Sequence, residues 1–493
     1  MKRSKVSRRA FLTTTGTITA GGGALTLCGD ANSKVFQTAS PQVEDGVVYH
    51  QGIHKTNLMK GFPPPRDKRV TWENWSETTE GLRYAHQNPA VVFRTVPIER
   101  GDGPAWVLPR RMVDPQTLHR AQVLWGEARA SAKRISVSEW LNRGQIDALV
   151  ALHDGHIVAE IYCGEMTPRT PHIIWCGSKA ILATVLAPFL LDGILNEQAE
   201  VTKYVQEFER TAFKGATIRQ LLDQMTGIRC DDFIEPEEFE KLDPAAQTEW
   251  NFGTPEFRRA SNGYARSSRA LGMFPQLEHE WNSGYYDFLL GLTDRDRPHG
   301  TSFKYSDYNP MALQLILERV TETSYVKHVR SLVRELGFES NATLIIDPVG
   351  TPIGNYGLAL TARDWARWGQ MLCNHGHLGS GRVLPGMREL VDDIRRNPGP
   401  ERLEGKWSTP MPNIGYRSQF WTASGVRGRN PLLQGCGWCQ QKCVVDLERK
   451  NIVVQMATFW DQDPDNVRNK ETPGHGDLAI WSFMEEVLPR LTD

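Results

Sequence analysis

An α/β protein with an added all-α lobe is the fold class that this sequence predicts, and three regions predict it. Residues 149–152 and 157–162 are short apolar runs, and the Asp-Gly pair between them is typical of a hairpin turn. Residues 442–446 and 452–458 have the pattern of a second strand pair. Residues 200–340, between these two regions, have a mainly helical pattern. Strands from both ends with a helical block between them predict an α/β layer and a separate helical lobe.

Helical periodicity supports this division of the chain. Residues 177–195 are so apolar that the helix predicted there should be buried on most sides. We expect further helices at 115–133, 217–222, 310–320, 362–373 and 476–491, and a strand at 343–346.

The composition is that of an ordinary globular protein. The chain has 493 residues, of which 40% are hydrophobic and 15 are Trp, so a sizeable core can be buried. Its 57 basic and 58 acidic side chains give a formal net charge of −1. No basic excess points to a nucleic-acid partner, and no acidic excess points to a solvating tail. No segment has the length and apolarity that a membrane span needs.

The first 30 residues predict export. Residues 7–12, S-R-R-A-F-L, resemble a twin-arginine export box, and a weakly apolar stretch follows to about Leu27. A twin-arginine signal peptide and a periplasmic or secreted mature protein are therefore predicted, with a disordered basic tail as the alternative. Lipid anchoring at Cys28 is disfavoured, because a lipidated cysteine normally follows a small residue and Leu27 is not small.

Four parts of the chain are predicted. They are a signal peptide at 1–30, an N-terminal arm and extension at 31–135, an α/β domain at 136–215 together with 340–493, and a helical lobe at 216–339. Turn and coil signals in residues 31–75, including a Gly-Phe-Pro-Pro-Pro segment, predict that the arm lies over the main body.

A cysteine at the predicted start of the buried helix is the first candidate for chemistry. Residues 175–179 are W-C-G-S-K, which places Cys176 at a helix N-terminus, where backbone amides and the helix dipole favour an anion. Lys179 is three residues further on and shares the helix face. A buried ammonium beside a thiol can stabilise the thiolate or, once deprotonated, accept the proton of the thiol. Taken alone, such a cysteine is more often a packing residue, so the assignment depends on other segments.

Five segments occur in an order that resembles one family. Residues 176–179 fit the nucleophile pattern S-x-x-K with cysteine in place of serine. The others are T-I-R-Q-L-L-D-Q-M-T-G-I at 217–228, F-K-Y-S-D at 303–307, Y-G-L-A-L-T-A-R-D-W-A-R at 356–367 and G-C-G-W at 435–438. Together they resemble the serine β-lactamase and penicillin-binding-protein superfamily, in particular its class C and esterase branch. The resemblance covers roughly residues 147–490, and residues 50–110 resemble the leader of the 6-aminohexanoate-dimer hydrolase branch.

The resemblance implies a β-lactamase/transpeptidase-like fold, with an antiparallel sheet flanked by helices, and a hydrolase. Cys176 stands where the family has its serine nucleophile and Tyr305 matches the catalytic tyrosine, so Cys176, Lys179 and Tyr305 are the implied catalytic residues. Backbone amides of Cys176 and Trp438 would form the oxyanion hole. The implied substrate contacts are Asp307, which replaces the family's Asn, and Cys436, Gly437 and Trp438.

Two departures from the family bear on function. Cys176 replaces the serine, and Cys436 replaces a Lys or His that helps to hold the substrate carboxylate, so β-lactam hydrolysis is not expected. One hypothesis is a hydrolase or acyltransferase acting on an amide or ester through an acyl-cysteine. The other is a catalytically inactive binding protein. Lys179 and Tyr305 are both retained, which favours activity, and both would suit a serine too. The only predicted partner is a small-molecule substrate, and no cofactor is predicted.

The cysteines near the C-terminus suggest alternatives. Residues 436–439, C-G-W-C, resemble a redox motif, but on a strand the two thiols would point to opposite faces. Cys436, Cys439 and Cys443 could supply three zinc ligands, but no nearby fourth ligand completes a tetrahedral site, so no metal is predicted. Cys176 and Cys436 are expected to border one cleft, either as unlinked thiols or, under oxidation, as a disulfide that stops activity.

Overall fold

Strands from both ends of the chain meet in one nine-stranded sheet in the computed structural model, which describes residues 41–229, 236–239, 241–250, 252, 254–396, 414–428, 431–460 and 473–492. The described strands are β1 (Gln42–Glu44), β2 (Val47–His50), β3 (Thr95–Ile98), β4 (Gln122–Trp125), β5 (Lys133–Ser136), β6 (Ile146–His153), β7 (His156–Cys163), β8 (His172–Ile173), β9 (Ala342–Ile345), β10 (Leu358–Leu360), β11 (Ile414–Arg417), β12 (Phe420–Ala423), β13 (Leu432–Gly437), β14 (Gln441–Asp446) and β15 (Asn451–Ala457). The predicted signal peptide, residues 1–30, lies outside the described residues.

Helices cover both faces of this sheet. Those described are α1 (Thr79–Gln87), α2 (Pro89–Val92), α3 (Pro115–Arg120), α4 (Val137–Arg143), α5 (Ser178–Leu191), α6 (Ile218–Leu222), α7 (Pro236–Phe239), α8 (Pro244–Thr248), α9 (Pro255–Arg259), α10 (Gly263–Ala270), α11 (Tyr285–Leu290), α12 (Tyr308–Thr321), α13 (Tyr325–Glu335), α14 (Ala362–Cys373), α15 (Met387–Arg396), α16 (Pro473–Ser482) and α17 (Leu488–Thr492). A π-helical turn, Phe483–Val487, joins α16 to α17. No helix in the described part of the chain is long and apolar enough to cross a membrane.

The main sheet confirms the predicted α/β architecture. Its strand order is β1-β2-β7-β6-β15-β14-β13-β12-β11, and every pair is antiparallel except β2 with β7. The predicted hairpin is β6 and β7, where Asp154 (φ 44°) and Gly155 (φ 79°) both adopt the left-handed conformation that a tight hairpin turn requires. The second predicted pair is β14 and β15. A separate sheet has the order β3-β9-β10-β8.

The two faces of the sheet pack against different helices, and strand β13 shows the alternation. Leu433 belongs to the core that α5 and α14 share, whereas Leu432 belongs to the core that contains α4 and α16. A Cβ at Gly435 would lie 3.4 Å from Trp368 of α14. Odd-numbered residues of β13 therefore face α5 and α14, and even-numbered residues face α16.

The helical block between the strands is present as predicted. Helices α6 to α13 lie between residues 218 and 335, and α12 contacts both α6 and α5. Residues 39–493 form one compact unit by their contacts. The predicted boundaries between arm, α/β domain and helical lobe stay predictions.

The helix predicted at 115–133 is wrong. Asp114 caps α3 by accepting a hydrogen bond from the Thr117 amide, but α3 ends at Arg120, and β4 and β5 form a hairpin with a seven-residue connection. Val123 and Ile135 are buried against the second core, and the Leu124 amide donates to Ser482 Oγ. Burial of these β-prone side chains overrides the helix propensity of the Ala-rich connection.

Two other expectations need correction. The long apolar helix ends at Leu191 rather than near residue 195, because Gly193 adopts φ 72°, the left-handed conformation that commonly ends helices. The arm predicted as coil at 31–75 supplies β1 and β2, and β2 pairs with β7 in parallel, Val48 opposite Ile161. This part of the chain therefore extends the main sheet.

Candidate active site

Cys176 lies in a tight turn directly before the buried helix α5. A 3₁₀ turn spans Trp175–Gly177, and the next ten residues of α5 are all buried. Cys176 is half-buried and packs against a cluster that includes Tyr305 and Tyr416. Its position at the helix start is the one that the sequence predicts, where unpaired amides favour an anion.

The side chain of Trp175, the first residue of this turn, fixes the position of the turn. Trp175 adopts φ 46°, a conformation that costs energy for a bulky residue. Its Nε1 donates a hydrogen bond to His86 Nε2 over 2.8 Å, and its ring packs at 5.4 Å from the ring of Trp438. These contacts fix Trp175 and thereby the adjacent Cys176.

Lys179 is fully buried on the same helix face and carries a charge partner. Its Nζ lies 2.6 Å from Asp307 Oδ1 and 4.8 Å from the centroid of the Tyr305 ring. Burial by itself lowers the pKa of Lys179, but the Asp307 carboxylate and the Cys176 sulfur, through charge and hydrogen bonding, raise that pKa above its usual value. Lys179 is therefore an ammonium ion at neutral pH.

Tyr305 borders the sulfur and remains a neutral phenol. Burial raises its pKa well above the usual value, and negative charge at Cys176 and at Asp307 raises it further. Its ring stacks on Trp421 at 5.5 Å and 26°, and Tyr416 packs against it edge-on at 5.9 Å. The structure thus brings together the three predicted catalytic residues Cys176, Lys179 and Tyr305.

A glutamine inside the 217–228 motif fixes the Tyr-Ser-Asp segment, a role that the sequence analysis did not predict. Gln224 Nε2 donates to the Ser306 carbonyl at 2.9 Å, and its Oε1 accepts from the Ser306 amide at 3.2 Å. Asn309 Nδ2 donates to the same oxygen at 2.6 Å. This buried network holds Tyr305 and Asp307, on either side of Ser306, in register with helix α5.

The end of β13 packs against the backbone that precedes Cys176. A Cβ at Gly437 would lie 2.1 Å from the Ile174 carbonyl oxygen, so only glycine permits this approach. Trp438 follows in a short turn, is half-buried, and packs 5.0 Å from the ring of Phe252. The predicted oxyanion hole, with the amides of Cys176 and Trp438, stays a prediction.

Cys436 lies opposite Lys442 on the side of the sheet that packs against α16, whereas its place in the G-C-G-W motif suggested a contact with substrate. It pairs across β13 and β14 with Lys442, whose ammonium contacts Asp477 of α16. Gly437, by contrast, faces Ile174 on the side of α5. Because successive strand residues point to opposite faces, the Cys436 side chain points away from the face that Cys176 occupies. Both thiols are free, burial and negative charge at Cys176 raise the pKa of Cys436, and the suggested disulfide between them stays a prediction.

A buried cluster of His86, Asp147 and His172 lies beneath Trp175 and was missed in the sequence. Their ligand atoms all lie within 4.8 Å of one another, a spacing that could hold a metal ion. However, Arg83 Nε lies 2.7 Å from Asp147 Oδ1, and both ring nitrogens of His86 already have partners. Burial alone would raise the pKa of Asp147, but Arg83 and His172 hold it well below the usual value. The cluster therefore supports the turn at Trp175–Gly177.

One signal could have pointed to this support. Asp147 is the only acidic residue in the otherwise apolar run of β6, and a charge in such a buried strand requires a partner. Its partners Arg83 and His172 come from distant segments, so their identity could not be read from spacing.

Known proteins are similar to this chain in sequence and fold. The family model described as Beta-lactamase matches residues 145–472. A 6-aminohexanoate-dimer hydrolase of Paenarthrobacter ureafaciens is 25% identical over 319 residues, which are 64% of this chain and 74% of that protein. A solved structure from Bacillus anthracis, provisionally named a 6-aminohexanoate-dimer hydrolase, has a TM-score of 0.67 at 21% identity, covering 87% of this chain and 100% of its own.

A second solved structure is more distant. A protein of Bacteroides dorei, provisionally named a β-lactamase, has a TM-score of 0.50 at 16% identity, covering 72% of this chain and 96% of its own. These structural likenesses confirm the fold that the ordered motifs predicted.

Proposed function

Because this chain belongs to the Beta-lactamase family of hydrolases, we propose that it cleaves an amide or ester through a covalent acyl-cysteine at Cys176. The observation that carries the proposal is the buried contact among Cys176, Lys179 and Tyr305. A nucleophile, a cation and a neutral proton donor at one helix start are what acyl transfer requires. A non-catalytic binding protein would have no chemical need for a buried ammonium beside a thiol.

Acylation begins with the Cys176 thiolate beside the Lys179 ammonium. The sulfur attacks the carbonyl carbon, a C–S bond forms, and the carbonyl π pair moves to the oxygen, where backbone amides stabilise it. When this oxyanion collapses, the bond to the leaving group breaks. The leaving nitrogen or oxygen takes the Tyr305 hydroxyl proton, and Lys179 reprotonates Tyr305.

Deacylation returns the proton along the same route. Water gives a proton to Lys179 by way of Tyr305, its oxygen attacks the thioester, and the C–S bond breaks to release the acid and restore the thiolate. Each cycle therefore ends with the ammonium and thiolate with which it began. Thioesters also react readily with amines, so an amine in place of water would give acyl transfer.

Aromatic walls and neutralised charge favour an uncharged, apolar acyl group. Trp421 and Trp438 are both half-buried: Trp421 packs, as Cys176 does, against the cluster that contains Tyr305, and Trp438 packs against Trp175. The Lys179 charge is satisfied by Asp307, and Lys442 points to the opposite face and contacts Asp477. A substrate carboxylate would find neither of these cations free. A relative named as a 6-aminohexanoate-dimer hydrolase supports a linear amide as the bond that is cleaved; the acyl half of that dimer ends in an amine, so the preference for an uncharged acyl group rests on the walls of this site alone.

Trapping the acyl intermediate tests this function. Wild-type protein is incubated with p-nitrophenyl butyrate at pH 7.5, quenched in acid, and analysed by intact mass and peptide mapping. We expect one butyryl group on Cys176, and none in the variant Cys176→Ala. A butyryl group on another residue, or release of p-nitrophenol with Cys176 left free throughout, would contradict the acyl-cysteine. A folded protein that is neither labelled nor active would favour the binding-protein alternative.

Export by the twin-arginine route is the proposed localisation, and it rests on the basic segment at residues 7–12. Replacing both Arg8 and Arg9 by Lys keeps the charge but removes the pair that the export machinery recognises. We expect the precursor to accumulate in the cytoplasm of a bacterial host, measured by fractionation and immunoblot. Arg3→Lys makes the same chemical change outside the pair and should leave export intact. Normal periplasmic maturation of the double variant would rule out this route.

A further inference from the structure

Asp307 is the point at which the Tyr-Ser-Asp segment departs from the family pattern, and its carboxylate is committed to Lys179. We propose that Asp307 is a positioning residue that holds Lys179 as an ammonium ion and thereby adapts this site to a cysteine instead of a serine nucleophile. The inference rests on the proposed function of Cys176 and assigns Asp307 a role different from substrate contact.

The geometry shows that the carboxylate has no competing structural task at the helix start. Asp307 is the residue before α12, where an aspartate often caps the helix, but its side chain makes no capping hydrogen bond. Ser306 Oγ instead accepts from the Tyr308 amide at 2.9 Å. Asp307 Oδ1 lies 2.6 Å from Lys179 Nζ, whose side chain is 1% exposed, against 18% for Asp307.

Few other groups set the charge of Lys179. Cys176 faces it from the nucleophile turn, Asp307 from the start of α12, and Tyr305 from the segment before α12, with Tyr416 of β11 behind Tyr305. Of these, Asp307 supplies the only carboxylate, and its charge is the largest influence that raises the pKa of Lys179. An asparagine there would offer a dipole but no net charge, and burial would then favour the neutral amine.

The consequence differs between the two nucleophiles. A serine hydroxyl needs a neutral lysine to take its proton, so an ammonium locked by Asp307 leaves it inactive. A thiol is far more acidic, so its attack needs only a nearby cation that stabilises the thiolate, and Lys179 gives up its proton only afterwards, when it reprotonates Tyr305. The motif alone suggested that a serine would work at position 176; the ion pair predicts that it fails unless Asp307 is changed as well.

The test compares two serine variants by covalent labelling. Cys176→Ser and Cys176→Ser/Asp307→Asn are treated with a fluorophosphonate at pH 7.5, and the labelling rate at residue 176 is followed by intact mass. We expect the double variant to react about 100-fold faster, the low end of what a general base contributes. The rate for Cys176→Ser should keep rising through the alkaline range, because the Asp307 carboxylate raises the pKa of Lys179 and keeps Lys179 protonated at pH 7.5.

Two further variants test whether the labelling rate depends on the charge of Asp307 rather than on a change in structure. Cys176→Ser/Asp307→Glu keeps a carboxylate and should stay as slow as Cys176→Ser. Cys176→Ser/Asp154→Asn removes an exposed carboxylate that pairs with Lys450 in the β6–β7 turn, and should also stay slow. Equal rates at pH 7.5 for the Cys176→Ser and Cys176→Ser/Asp307→Asn variants, or a Glu variant as fast as the Asn variant, would overturn the inference.

The inference can be tested even if the Cys176→Ser/Asp307→Asn variant does not fold. The pH profile of Cys176→Ser alone also tests the inference, and a rate that is already maximal at pH 7.5 would refute it. The serine variants are scored by their own labelling. A wild-type enzyme that forms no acyl-cysteine would therefore refute the proposed function without changing this comparison.

Discussion

Replacing Cys176 by alanine is expected to abolish turnover while leaving the protein folded. The variant removes the atom that forms the covalent bond, and losses of about 10⁴- to 10⁶-fold in kcat are typical when a nucleophile is removed. Cys176 is half-buried in the middle of a turn whose position is set by Trp175 and His86. Removing its sulfur should change the free energy of unfolding by less than about 1 kcal/mol. Ester and amide hydrolysis, together with thermal melting, measure both effects.

A second cysteine provides the matched control for that experiment. Cys373 is buried at the end of α14 and belongs to the hydrophobic core. Cys373→Ala should keep activity but lower the melting temperature, because it leaves a small cavity. If Cys176→Ala retained wild-type turnover, Cys176 would not be the nucleophile, whatever happened to Cys373→Ala.

The sequence predicted the part of the site that depends on one helix and on motif order. Cys176 and Lys179 share a face because they are three residues apart on a helix, a local relation that any α-helix preserves. The approach of Tyr305 to Lys179 is a long-range contact, and only the family resemblance made it predictable. The strand pairs were predictable because alternation and an Asp-Gly turn are local signals.

What the sequence did not predict depends on tertiary partners. Nothing in the spacing indicated that Asp307 would pair with Lys179 rather than contact substrate, because that depends on how α12 packs against α5. The direction of the Cys436 side chain follows from strand register, and a shift of one residue would have reversed it. The helix predicted at 115–133 failed for a similar reason, since burial against α16 decided the conformation.

Replacing Tyr305 by phenylalanine is expected to lower kcat by about 10²- to 10⁴-fold with little change in KM. The substitution removes the hydroxyl that carries the proton to the leaving group and keeps the ring. Because that ring stacks on Trp421 and is 5% exposed, Phe should occupy the same space and leave the acyl site in place. Steady-state kinetics over pH 6 to 9 measure kcat and KM separately.

Burial of Tyr305 determines the expected pH dependence of the rate, and a neighbouring tyrosine provides the control. The pKa of Tyr305 lies well above its usual value of 10, so Tyr305 stays protonated across this range and the wild-type rate should show no alkaline decline caused by its ionisation. Tyr416→Phe removes a neighbouring hydroxyl that bonds to Gln419 Oε1 at 3.1 Å, and should lower kcat far less than Tyr305→Phe. An unchanged kcat with a raised KM in Tyr305→Phe would mean that the hydroxyl only binds substrate. The leaving group would then have to take its proton directly from the Lys179 ammonium. That ammonium is held by Asp307, whose Oδ1 lies 2.6 Å from Lys179 Nζ.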